Sequence, residues 1–108
     1  MKALQWTMTI PKDKQKEFEK WFKEVAGSKL NSFGAIKHEI YRVEEKLLVG
    51  RQVVENDKYI ERVYFDNGFD IPKYFATVKA DTKAWKESRK FESEFGARDV
   101  ELRIVNEI

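Results

Sequence analysis

Within its first 26 residues the chain changes hydrophobic period, and that change limits its folds more than any other feature. Leu4, Trp6, Met8 and Ile10 alternate with Gln5, Thr7 and Thr9, the period of two of a half-buried strand. Pro11 ends the alternation and suits the first turn of a helix, where a missing N–H costs nothing. From Lys12 to Ala26 the apolar residues Phe18, Trp21, Phe22 and Val25 recur at helical spacing, with lysines and glutamates opposite and Gly27 as the stop. A strand that must cover one face, followed by a helix with one apolar stripe, points to a sheet with helices packed against it.

The rest of the chain repeats these signals. After a connector at Ser28–Ser32, Phe33–Val43 reads as a strand, with Ile36, His38 and Ile40 on one face and Lys37, Glu39 and Tyr41 on the other. Leu47–Val54 reads as another strand interrupted by Gly50, and Tyr59–Phe65 as a third after a loop at 55–58. Pro72 opens a helix carrying Tyr74, Phe75 and Val78, and Asp81 is placed to cap a fresh one with Ala84, Trp85, Ser88, Phe91 and Phe95 on one face. Gly96 closes it, and Asp99–Val105 alternates as a last strand. The expectation is one α+β domain over residues 1–108: a ferredoxin-like sandwich with two helices, the second broken, on one face of an antiparallel sheet. The ideal plan has two strands between its helices, and three are read here. One bent strand and an added hairpin both remain open.

Composition narrows the functions. The 108 residues suit one domain, and with no cysteine neither disulfides nor thiolate metal sites can form. Twenty-one basic and 19 acidic residues leave a net charge of +2, too balanced for a dedicated nucleic-acid or membrane-surface binder. No stretch has signal-peptide or membrane-span character, so a cytoplasmic location is expected. Glycine loops for phosphates, nucleophile elbows and metal-spaced clusters do not occur, so neither cofactor nor metal is expected.

Some residues bear on chemistry. His38 is the only histidine and thus the only side chain whose ordinary pKa lies near neutrality. It reads either as a residue packed among apolar neighbours or as a proton shuttle. The strands also carry a polar stripe of Gln5, Thr7, Thr9, Lys37, Glu39, Tyr41, Arg51, Arg62, Tyr64, Glu101 and Arg103. It is either a solvated face or, enclosed by dimerisation, a pocket in which Arg51, Arg62 and Arg103 grip an anionic or carbonyl group. An RNA-recognition module shares the sheet-and-two-helices plan, but Leu47–Val54 offers Val49, Arg51 and Val53 with no aromatic for base stacking.

The run Tyr64-Phe65-Asp66-Asn67-Gly68-Phe69-Asp70 leading into Tyr74-Phe75-Ala76-Thr77-Val78 resembles a strand-to-helix junction of the dimeric α+β barrel superfamily. Ala80-Asp81-Thr82-Lys83-Ala84-Trp85 is similar to the kinked second helix of those proteins, which include antibiotic-biosynthesis-monooxygenase-like and NIPSNAP-like members. The resemblance implies a homodimer and a ligand cavity, either between sheet and helices or inside the barrel. It also implies a small-molecule ligand. The residues themselves put forward His38 as the catalytic candidate and Arg51, Arg62, Tyr64, Arg103 and Trp85 as ligand contacts. Cofactor-independent oxygenase or isomerase chemistry follows as one expectation, and a non-enzymatic metabolite-sensing dimer as the other. Haem degradation does not carry over, because the first strand holds no asparagine and the second helix no histidine. The paired tryptophans and histidine of the mutarotase branch are missing too.

Overall fold

The computed structural model describes residues 1–26, 34–51 and 57–108. Strand β1 (Lys2–Thr9) leads through Pro11 into helix α1 (Lys12–Trp21), whose end winds into a π turn at Phe22–Ala26. Strands β2 (Lys37–Arg42) and β3 (Lys58–Phe65) follow, then helices α2 (Ile71–Ala80), α3 (Thr82–Ser88) and α4 (Lys90–Ser93), and strand β4 (Arg98–Asn106). The sheet order is β2-β3-β1-β4, and each neighbouring pair is antiparallel. This is the ferredoxin-like α+β arrangement expected from the sequence. Among the described residues no helix is long and apolar enough to cross a membrane.

The third strand between the helices is a correction. Residues 43–51 form no strand, and Leu48 and Val49 are 93% and 90% exposed. β2 pairs directly with β3, and the described residues that join them stay off the sheet. Gly50, at φ 113, turns the chain in the left-handed region, and Arg51 beyond it is exposed and off the sheet. The expected helix stop at Gly27, the Ser28–Ser32 connector, the strand start at Phe33, and Val53 and Val54 lie outside the described residues.

Local chemistry accounts for the helix boundaries. Pro11 stands at the N-cap of α1, one position before the first turn, with ψ 144. Asp70 caps α2 by accepting from the Lys73 N–H at 3.0 Å, with Pro72 in the first turn. Asp81 ends α2 in an extended conformation and caps α3, accepting from the N–H groups of Lys83 and Ala84 at 3.0 Å each. The sequence-expected break is therefore a cap. Past it, Arg89 (ψ 2) resets the helical face. Phe91 and Phe95 enter the core, whereas Trp85 stays half-buried against Phe75 on the outer helices.

Strand phase decides what the sheet offers each side. Leu4, Trp6 and Met8 on β1, Tyr59, Glu61, Val63 and Phe65 on β3, and His38 and Ile40 on β2 share the helix side through their register. Two apolar clusters fill it. One joins Met8, Ile10, Phe18, Phe22, Tyr59, Phe91 and Phe95; the other joins Leu4, Val63, Phe65 and Ile71, and Trp6 packs against both. Tyr59 is fully buried.

Candidate functional site

Position 61 breaks the apolar phase of β3. Tyr59, Val63 and Phe65 point at the helices, and so does Glu61, at 1% exposure. Tyr59 belongs to one apolar cluster and Val63 to the other, which puts the carboxyl at the seam between them. Its direct cross-strand neighbours are Trp6 on β1 and Ile40 on β2. Burying a carboxylate without a cation costs several kcal/mol. Burial accordingly pushes the Glu61 carboxyl up to about 8. Among the described residues it forms no ion pair, and its Oε2 has no hydrogen-bond partner. Tyr74 of α2 stands close enough that burial first, and then a charge on Glu61, raise its phenol.

Two further polar atoms on this side share that condition. His38 lies opposite Val63 and so diagonally across from Glu61, at the spacing of about 7–8 Å typical of such strand positions. Its Nε2 is buried without a partner, its ring is 4.7 Å from that of Phe22, and burial holds its pKa below the ordinary value. Trp21 Nε1 is likewise buried and unpartnered. Its indole meets Phe91 edge-on at 5.3 Å, and Phe22 lies between Trp21 and His38 in the chain of ring contacts. A buried polar atom left without a hydrogen bond costs about 1–3 kcal/mol, so three in one region of a small core form a deliberate grouping. At neutral pH the set consists of a protonated carboxyl, a neutral imidazole and an indole N–H. It suits hydrogen bonding and proton transfer.

The polar stripe occupies the opposite face. A row of Glu39, Arg62, Gln5 and Arg103 crosses all four strands. Arg62 Nε donates to Gln5 Oε1 at 2.8 Å, and Arg103 bonds Glu101 at 3.0 Å. The Tyr41 hydroxyl donates to Glu39 at 2.5 Å, and Lys37 approaches the same carboxylate at 3.4 Å. The Tyr41 and Tyr64 hydroxyls, with Lys37, hold Glu39 down at about 2. Lys37 also sits 5.7 Å above the Tyr64 ring. The charges of this face are largely turned on one another.

The structure therefore separates the residues singled out in the sequence. Arg62, Tyr64 and Arg103 share the open face, while His38 is on the helix side. Arg51 is off the sheet. Trp85, flanked by Lys79 at 5.9 Å and Arg89 at 5.4 Å from its ring, belongs to the outer helices. Glu61 escaped the sequence reading, although one signal for it was present: a lone carboxylate in phase with Tyr59, Val63 and Phe65. Trp21 was read as core, which is where its ring lies; its unpartnered N–H is a tertiary fact. Among the described residues no group of three His, Asp or Glu is placed to hold a metal.

No protein-family model matches the chain, and no curated protein matches its sequence. Solved structures do match it in fold. HapK from Hahella chejuensis superposes with a TM-score of 0.68 at 14% identity, covering 100% of this chain and 93% of that one. A candidate antibiotic biosynthesis monooxygenase from Deinococcus radiodurans gives 0.66 at 8% identity with the same coverage. A dimeric ferredoxin-like protein from an uncultured marine organism gives 0.57 at 14% identity, covering 99% and 96%. At these identities the likeness is one of fold.

Proposed function

We propose that this protein binds a small molecule on the helix side of its sheet, at the seam between the two apolar clusters, and that it works as a homodimer. The observation that carries the reading is that Glu61, His38 and Trp21, all on the helix side, each bury one polar atom that has no hydrogen-bond partner among the described residues. Binding sites of this kind are mostly apolar with a few convergent polar groups. Glu61 is the residue for proton transfer, because a carboxyl held near 8 exchanges its proton close to neutral pH. His38 is the second proton-handling group. An oxygenase-like or isomerase-like reaction that needs no cofactor is in keeping with those two groups and with the monooxygenase assignment of one structural neighbour. A non-enzymatic metabolite sensor would use the same contacts without turnover.

The open face, with Arg62, Tyr64 and Arg103, is the surface we assign to the second copy. The dimeric ferredoxin-like neighbour supports a second copy. Native mass spectrometry of the purified protein tests both halves. A species of about twice the 12.9 kDa chain mass, carrying extra mass from a retained small molecule, is the expected result. A monomer at every concentration would remove the dimer. Glu61→Ala and His38→Ala should each lose the retained molecule while keeping the parent circular dichroism; retention by both variants would remove the helix-side site.

A further inference from the structure

The position of Glu61 also bears on which ligand the helix-side site accepts. We propose that Glu61 meets its ligand as a carboxylic acid and donates its proton to an uncharged acceptor oxygen, so that the site selects neutral carbonyl-bearing molecules with an apolar ring body over carboxylates and phosphates. This deepens the reading just given and rests on it.

The argument is one of charge and partners. The carboxyl is 1% exposed, with Trp6 and Ile40 on either side across the strands. The other titratable and charged groups on this side offer an anion nothing. His38 is kept neutral by burial, and the phenols of Tyr59 and Tyr74 are pushed upward. Arg42 is committed to Glu19 through two hydrogen bonds of 3.0 and 3.1 Å, and Lys2 stands at the far end of β1 opposite Phe65. Among the described residues an anionic ligand would find no free cation here and would bring its charge to an apolar seam. A ketone or quinone oxygen would instead meet the Glu61 O–H as a donor. Phe22, Trp6 and Tyr74 provide surface for a flat body.

Acetylnaphthalene and naphthoate have the same ring system and differ in the charge of the polar group. Each is titrated into the full chain while the indole N–H resonance of Trp21 is followed by NMR. The ketone should bind at least about tenfold tighter than the carboxylate near neutral pH. Its affinity should fall by about tenfold above pH 9, once Glu61 has ionised. Glu61→Gln, which keeps a donor, should bind the ketone without that pH dependence. Equal or tighter binding of naphthoate, or ketone affinity in the parent chain that ignores pH, overturns the proposal and leaves the site standing. If neither probe moves the Trp21 resonance, the site falls too. Infrared spectra of the parent protein give a check that needs no variant. A protonated-carboxyl stretch at neutral pH that vanishes at high pH is expected, and its absence would be fatal.

Discussion

Glu61 and His38 pull stability in opposite directions as pH changes. The folded pKa of Glu61 is raised from 4.5 to about 8, so the native state keeps a proton that the unfolded chain has lost across that window. Stability therefore falls as pH rises through it, by up to about 1.4 kcal/mol per pH unit. His38 is a base with a lowered folded pKa, so its contribution is lost as pH drops below about 6.5, where the unfolded chain takes up a proton first. The two oppose one another just below about pH 6.5; between there and pH 8 Glu61 dominates. Thermal melts across pH should show a shallower slope just below pH 6.5 and a decline toward pH 8 in the parent. Glu61→Gln should abolish the decline. A decline that persists in the variant would mean the carboxyl is not its source. A second residue-scale prediction concerns Tyr59, whose hydroxyl donates to Glu19 at 2.6 Å beside the Arg42 pair. Tyr59→Phe should cost about 1.5–3 kcal/mol in urea unfolding, the usual loss for a hydrogen bond to a charged group. At this scale the sequence was a partial guide. The phase of Glu61 was readable and its lack of partners was not, because partners come from α1 and α2, whose placement no local pattern encodes.

Between residues and the whole, the broken second helix was the most readable element. An aspartate after Ala80 and before a run of helix formers means a cap, and the structure uses it as one. α3 has seven residues and is too short to hold itself without that cap. Asp81→Ala should lower stability by about 1 kcal/mol and reduce helical circular dichroism. An unchanged melting temperature would show that packing of Trp85 against Phe75 holds α3 alone. The misread stretch was Leu47–Arg51. Its apolar residues and its glycine give the local signature of a strand, but a strand also needs a partner to pair with, and these residues pair with none. The same limit explains Trp85. It matched the periodicity of Phe91 and Phe95, and the non-helical turn at Arg89 sent it elsewhere.

For the molecule as a whole, the period change at Pro11 and the order of elements were enough to arrive at the ferredoxin-like plan. Strand order followed from the plan once the spurious strand was removed. What holds the layers together is Phe18. Its ring lies 5.1–6.3 Å from those of Trp21, Phe22, Tyr59, Phe91 and Phe95, tying α1 to β3 and to the end of the last helix. Phe18→Ala should cost about 3–5 kcal/mol, a large share of the stability of a domain this size. Denaturant unfolding that shifts by less than about 1 kcal/mol would show that the surrounding rings close over the gap.

The placement of the three tryptophans also gives the protein optical properties. The Trp21 indole packs among phenylalanines with its Nε1 buried, whereas Trp85 is flanked by the cations of Lys79 and Arg89. Emission should accordingly divide into a component that iodide reaches poorly and one that iodide, drawn by those cations, quenches readily. A molecule entering beside Glu61 would change the first and leave the second as an internal reference.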